Sequence, residues 1–362
     1  MLAPARTKGM SFLQPADKKQ WALALAVPLE AIDVYLQSDI VDLHIDSFIW
    51  HRIFGYDIKK RHGQGFAKFW FMGQVDLPRL REAAIAGGIW AITTNPLRSA
   101  TRRAEVFSDN LARLGQLLSS EADVRIVRNL REYRAARAQG QHAALIGIQG
   151  GNALELNIDA LDRLVDDLVC QVTLVHLYSN RIGTTSTPQR KPDTGLTAFG
   201  HAYVERLNEK RIFVDLAHIS RRSFFDVVAI HDKTQPLIVT HTGIDMVHHH
   251  WRNLDDAQLK AIADTGGTIG VMYQRNFLAP GFKGAADSVA RHLEHAIKVV
   301  GEDFVSLGSD WDGAIVPPLD MPTCLELPRL VSAMLTRGFS PERIHKIMGG
   351  NFLRALGLLR GE

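Results

Sequence analysis

The feature that most limits how this chain can fold is a serial alternation. Short, nearly uninterrupted apolar runs are each followed by a helical pattern. The runs are "DIVDLHID" (39–46), "GIWAITT" (88–94), "AALIGIQ" (143–149) and "CQVTLVHL" (170–177), then "RIFVDLAH" (211–218), "PLIVTH" (236–241), "GTIGVMY" (267–273) and "FVSLGSD" (304–310). A strand with one wet face alternates apolar and polar residues. These mostly do not, so both faces are expected to be covered, as in a parallel sheet flanked by helices. Parallel neighbours need crossovers of a dozen residues or more, and the intervening segments are long enough to supply them. Eight such units in series predict an α/β fold, a (β/α)8 TIM barrel. An open doubly wound sheet is the alternative, but no GxGxxG follows the first run.

The helical segments carry their own punctuation. "NLDDAQLKAIADTGG" offers Asn253 as a cap, Leu259 and Ile262 on one face, and Gly266 and Gly267 as a stop. "LNIDALDRLVDDL" repeats apolar residues at Ile158, Leu161, Leu164, Val165 and Leu168, a helical period. "SPERIHKIMGGN" places Ser340 as cap, Pro341 at the first helical position and glycines at the end. The chain divides into an N-terminal extension (1–38) and one barrel domain (39–362). The segment 51–74, rich in aromatics, charges and glycine, reads as a loop over the barrel mouth, and 178–196 as a second loop bordering it.

Composition narrows the function classes. Of 362 residues, 46% are apolar and 22% charged, the balance of a soluble globular protein with a large core. A net charge of +3 with no Lys/Arg block argues against a nucleic-acid partner. Cys170 and Cys324 fit buried small hydrophobes, because neither lies in a CxxC and two cysteines make no disulfide framework. "WALALAVPLEA" is too short in its apolar part, and too acidic beyond it, to read as a signal peptide. No run reaches the ~20 apolar residues of a membrane span. The expectation is a cytoplasmic enzyme with no membrane partner.

Polar residues recur at the ends of the apolar runs: His44 and Asp46, Gln149, His176, His218, His241 and Asp310. In a barrel those ends converge on one rim, where active sites form. His44 and Asp46 stand two apart, so both side chains leave the same face of a strand. An imidazole and a carboxylate so placed suit a divalent metal such as zinc, and His218 and His241 could add ligands. Asp310 is placed to take a proton from an activated water. Asp42 and Asp215, earlier in their strands, read as groups that orient the ligands. "HHH" (248–250) reads as a solvated loop, His292 and His295 as surface residues of a helix, and Trp311-Asp312-Gly313 as a turn.

In this order, "DLHIDS", "GQVDLPRLREAAIAGG", "TGLTAFG", "FVDLAHIS", "VTHTG", Arg252-Asn253, "GSDWDG" and "GGNFLRALG" resemble the membrane (renal) dipeptidase family, peptidase family M19 of the amidohydrolase superfamily, over about residues 39–357. The resemblance implies a zinc dipeptidase that hydrolyses the amide bond of a dipeptide through a metal-activated hydroxide. It implies that His44 and Asp46 bind one zinc and His218 and His241 a second. Asp310 would be the acid/base, and His176 would polarise the scissile carbonyl. Arg252 would take the free carboxylate of the substrate, a role suited to a bidentate guanidinium. It also implies a homodimer.

One position departs from the family pattern. Where the family carries a metal-bridging glutamate in a "GxEGGHS"-like stretch, this chain reads "GIQGGNA", with Gln149 at that position. An amide brings no charge and one ligating oxygen, so the expectation is Zn2+ as one ion or two, the second weakened. Asn152 and Ala153 differ in the same turn. Two further readings stay open: a related reaction on another small amide or peptide-derived metabolite, and a barrel that binds ligand without catalysis.

Overall fold

The computed structural model describes residues 17–65 and 67–361, so the start of the N-terminal extension and Phe66 of the mouth segment lie outside the described residues. Nine strands appear among them: β1 (Val41–Ile45), β2 (Gly87–Thr93), β3 (Val124–Ile126), β4 (His142–Gln149), β5 (Val169–Thr173), β6 (Phe213–Asp215), β7 (Ile238–Thr242), β8 (Thr268–Val271) and β9 (Val305–Leu307). All pair in parallel, in the order β1-β2-β4-β5-β6-β7-β8-β9. The ring closes where Asp310 donates its backbone N–H to the His44 carbonyl at 3.1 Å and Asp46 donates to the Trp311 carbonyl at 2.9 Å. This is the (β/α)8 barrel. Most strand residues are buried on both faces, as continuous apolar runs between helices require.

The ninth strand, β3, is the element the apolar pattern does not announce. β2 pairs with β4 from Ala143 to Gln149, which occupies one side of β4. The other side is shared: its first residues pair with β3 and its last with β5. Three residues, "VRI", are enough to cover that half-length.

Three segments differ from their expected form. The helix Asp256–Ala263 is capped by Asp255, in a capping box with Gln258, rather than by Asn253. The amide of Asn253 instead donates to the His248 and Phe277 carbonyls at 2.8 and 2.9 Å. Residues 158–163 form a 3-10 helix capped by Asn157, not an α-helix. The spacing of Ile158, Leu161 and Leu164 is three, which aligns side chains in a 3-10 turn as well as on an α-helical face. After the helix Pro341–His345, capped by Ser340 as expected, the glycines do not end the helix. Residues 346–350 form a π-turn that runs into the helix Asn351–Arg360. A Cβ on Gly349 would lie 2.0 Å from the Asp39 carbonyl oxygen, so glycine at this place lets the terminal helical segment press against the entry to β1.

Cys170 and Cys324 are free and buried. Among the described residues no helix is long and apolar enough to cross a membrane. The segment after β1 packs over the mouth. Trp50 donates its indole N–H to the Asp312 carbonyl at 2.5 Å, and Phe71 donates its backbone N–H to the Ile315 carbonyl at 2.7 Å. The "WDG" turn is thereby a buried junction. Asp312 accepts from the Ser47 hydroxyl at 2.5 Å and the Gln74 backbone N–H at 2.8 Å.

Candidate metal centre at the barrel mouth

The polar residues of the strand ends do meet. His44 ends the interior row of β1, and Asp46 follows one residue beyond that strand. Asp46 Oδ2 lies 3.8 Å from His44 Nε2, and Asp310 Oδ1 lies 3.9 Å from the same nitrogen, both too long for hydrogen bonds. The His44 and His241 rings stand 4.1 Å apart at a tilt of 34°. His218 Nε2 and His241 Nε2 are 2.8 Å apart. His44, His241 and Asp310 together offer three ligand atoms within 4.8 Å of one another.

Groups behind the imidazoles fix which nitrogen faces the centre. Asp215 Oδ2 accepts from the Thr240 hydroxyl at 2.7 Å, which uses that hydroxyl's one hydrogen. Thr240 Oγ1 is 2.9 Å from His241 Nδ1 and can then only accept, so His241 carries its proton on Nδ1. Its Nε2 is left as a bare lone pair turned toward His218 and His44. Asp215 is held in turn by Gln171 and Thr173, at 2.7 and 2.5 Å. Asp42 Oδ1 accepts from the backbone N–H of His44 and of Ser309, each at 2.9 Å, and so ties β1 to β9 beneath the site. Both aspartates orient the ligand candidates, as a histidine–carboxylate support should.

The donor set fits a divalent cation. Both ring nitrogens of His44 are buried without a hydrogen-bond partner, which is costly for polar atoms, and a cation on the one lone pair of the neutral ring would relieve part of that cost. Burial pulls His218 and His241 well below the ordinary histidine value, with Arg252 adding to it, so both are neutral donors near pH 7. Burial also lowers His44, but the carboxylates of Asp46 and Asp310 outweigh it and the net direction is upward. The Asp310 carboxyl, on a residue with φ of 60°, is pushed up to about 8 by burial and the charge of Asp46.

The other expected residues line the same mouth. His176 lies just past β5, half-buried, with its ring 4.6 Å from that of His218. Burial lowers it to about 4, so it is a neutral imidazole. Arg252 is 3% exposed and donates Nη2–H to the His241 carbonyl at 2.8 Å, while its buried Nε has no partner. The loop bearing it returns to the strand end through a bridge between Ile244 and Leu254. A cavity of about 200 Å3 beside it is lined by Ser186, His218, His250, Trp251 and Arg252. The loop 178–196 is anchored there by Thr185, whose hydroxyl lies 2.5 Å from the His176 carbonyl and 3.0 Å from that of His218.

Gln149, at the end of β4, is 2% exposed, with Oε1 3.0 Å from Thr93 Oγ1. The same hydroxyl lies 2.6 Å from Asp46 Oδ1. Thr93 and Thr240 are thus working parts of the site that the chain hides in plain view, each a threonine at a strand end beside a ligand candidate. Arg52 is another. It donates Nη2–H to the Thr93 carbonyl at 2.9 Å and lies within the field of Asp46.

Four further histidines lie outside the cluster of ligand candidates, although His250 borders the cavity beside Arg252. His249 is exposed and pairs with Asp245 at 2.9 Å, and His250 stacks on Phe277 at 4.1 Å. His292 is not a surface residue. It is fully buried, accepting from the Ile244 backbone N–H at Nδ1 (2.8 Å) and contacting the Leu278 carbonyl at Nε2 (3.1 Å). His295 is half-buried and 2.8 Å from Asp256.

Residues 30–359 match the sequence profile of the membrane dipeptidase family, peptidase family M19. A curated relative, the uncharacterized protein in the pqqA 5′ region of Klebsiella pneumoniae, is 34% identical over 171 residues. That stretch is 46% of this chain and 62% of the relative, so the chain spans less than two thirds of that relative's length. Among solved structures, dipeptidase AC, a metallopeptidase of family M19, is 25% identical with a TM-score of 0.79, over 90% of this chain and 99% of that one. A metallopeptidase from Rhodobacter sphaeroides, liganded with a phosphinate mimic of the dipeptide L-Ala-D-Ala, is likewise 25% identical, with a TM-score of 0.78 over 89% of this chain and 99% of that one.

Proposed function

Because the chain belongs to the membrane dipeptidase family, peptidase family M19, we propose that it is a zinc-dependent hydrolase that cleaves the amide bond of a dipeptide. The observation that supports this most is the approach of His44, His241 and Asp310 to within 4.8 Å at the C-terminal rim of the barrel. In this reading His44, Asp46, His218 and His241 hold the metal, with Gln149 at its border. When bound, a divalent cation there lowers the pKa of water and polarises a carbonyl.

The chain's own residues do the rest. Arg252 receives the free carboxylate of the substrate through the guanidinium edge that the His241 carbonyl leaves open. His176, neutral, donates a hydrogen bond to the oxygen of the scissile carbonyl as it gains charge. Asp310 takes a proton from the attacking water and passes it to the departing nitrogen. One C–O bond forms, one C–N bond breaks, and the proton ends on the amine. The raised Asp310 carboxyl suits a group that must both accept and release a proton near neutrality.

The test is hydrolysis of a panel of L,L- and L,D-dipeptides by zinc-loaded protein, with Asp310→Asn alongside. Turnover that falls by about 1,000-fold or more in the variant supports the assignment. No release of amino acids from any dipeptide under saturating zinc would overturn it. Turnover of N-acylated amino acids or other small amides alone would move the chain to the related-metabolite reading.

A further inference from the structure

We propose that the site holds a single divalent cation per chain, and that Gln149 sets that number. The inference rests on the metal-dependent reading above and concerns the charge and oxygen supply of the centre.

The groups that face the centre are His44, Asp46, His218, His241 and Asp310, so the set brings at most two negative charges, that of Asp46 and, once its proton is lost, that of Asp310. Two further carboxylates, Asp42 and Asp215, stand behind it with their oxygens turned to backbone and hydroxyl donors. Arg52, within the field of Asp46, and Arg252, within the fields of Asp310 and Asp215, offset two of these four carboxyl groups. A net of at most −2 is neutralised by one divalent ion. A second would leave two positive charges in a site whose walls are almost wholly buried, and the low-dielectric interior does not screen them.

Position 149 cannot make up the difference. Thr93 has one hydroxyl hydrogen and two acceptors within reach, Asp46 Oδ1 at 2.6 Å and the Gln149 amide at 3.0 Å. If the hydrogen goes to Asp46, the Gln149 nitrogen must face Thr93, and one neutral oxygen remains for a cation. If it goes to the Gln149 oxygen, that oxygen keeps one neutral lone pair, and the NH2 group beside it cannot ligate. In either arrangement position 149 brings no charge and at most one oxygen, whereas a glutamate there would bring a negative charge and an oxygen for each of two ions. The four residues read above as ligands, His44, Asp46, His218 and His241, are donors enough for one ion that also holds a water, and Asp310 beside them stays free for proton transfer.

The experiment is metal content by mass spectrometry of the full chain, saturated with zinc and freed of excess by gel filtration, with a cobalt(II) titration followed by visible absorption. The wild type is expected to retain about one zinc per chain and to show one cobalt equivalence point. Gln149→Glu is expected to retain about two, and Gln149→Ala about one, with circular dichroism establishing that both variants are folded. Two tightly held zinc ions in the wild type would overturn the proposal, whatever the activity. So would a folded Gln149→Glu protein that stays at one. One zinc per chain without dipeptide turnover would leave this inference standing and remove the substrate reading. No zinc retained by wild type or variants would remove both.

Discussion

Thr93 joins the ends of two neighbouring strands by placing its hydroxyl 2.6 Å from Asp46 Oδ1. It is the side chain on β2 that holds the carboxylate following β1. Because the Asp46 carboxylate is 1% exposed, its orientation depends on such protein contacts rather than on water. Thr93→Val keeps the shape and removes the hydrogen bond. Zinc affinity, measured by competition with a chromophoric chelator, is expected to fall by about 10- to 100-fold, the usual effect of losing a group that orients a metal ligand. An unchanged affinity would mean that Asp46 is not a ligand or is held by something else.

Arg252 gives a prediction that separates binding from chemistry. Its Nη2 is anchored on the His241 carbonyl, so the rest of the guanidinium has a fixed direction. Burial lowers it to about 10, which still leaves it charged near pH 7. Arg252→Lys keeps a charge but cannot both hold that carbonyl and present a planar fork. For a dipeptide substrate KM is expected to rise by about 100-fold, with kcat falling by less than about 10-fold. The same variant should be nearly indifferent to a dipeptide amide, which lacks the carboxylate. Equal losses on both substrates would assign Arg252 to support of His241 instead.

Much of this arrangement could be read along the chain, and the parts that could not have physical reasons. A strand buried on both faces must be apolar throughout, so His44, His218, His241 and Asp310 stood out against their runs. Thr93 and Thr240 did not, because threonine is ordinary in strands and its role depends on which partner takes its single hydrogen. β3 was invisible because three residues carry no period. The burial of His292 was legible but missed. It shares a stripe with Val289, Leu293 and Ala296, at the spacing of one helical face, and that stripe is buried in the helix Ala286–Val300. A polar residue within an apolar stripe is buried with it, provided its hydrogen bonds are met.

Gly349 is one of the positions near the barrel base where the backbone leaves no room for a Cβ. A Cβ there would stand 2.0 Å from the Asp39 carbonyl oxygen and 3.1 Å from the carbonyl carbon, and backbone cannot swing aside as a side-chain tip can. Gly350, next to it in the same π-turn, would place its Cβ no nearer than 3.3 Å to the His345 carbonyl oxygen. Gly349→Ala is therefore expected to destabilise the protein by about 3 kcal/mol or more, as overpacking against a rigid neighbour does. Gly350→Ala should stay within about 1 kcal/mol of wild type, since alanine also gains helix propensity. Chemical denaturation of the two variants side by side checks the contrast.

His292 predicts an acid limit to stability that is independent of the metal centre. The Ile244 backbone N–H donates to Nδ1, so that nitrogen must keep its lone pair, and the proton sits on Nε2 facing the Leu278 carbonyl. A second proton would turn the Ile244 contact from a hydrogen bond into a clash of donors. Burial accordingly lowers His292 to about 4, and nearby His248, Arg291 and His295 push the same way. In the unfolded chain it would titrate near 6.5, so between about 6.5 and 4 the unfolded state holds the extra proton. The stabilisation is thus complete above pH 6.5 and is lost as the pH falls toward 4, by at most about 3 kcal/mol from this one group. His292→Gln offers an amide oxygen to Ile244 without a titrating nitrogen. It should be less stable than wild type at pH 8, and its unfolding free energy should fall less steeply between pH 6.5 and 4.5 in metal-free buffer. Parallel pH profiles for the two proteins would show that His292 does not carry this term.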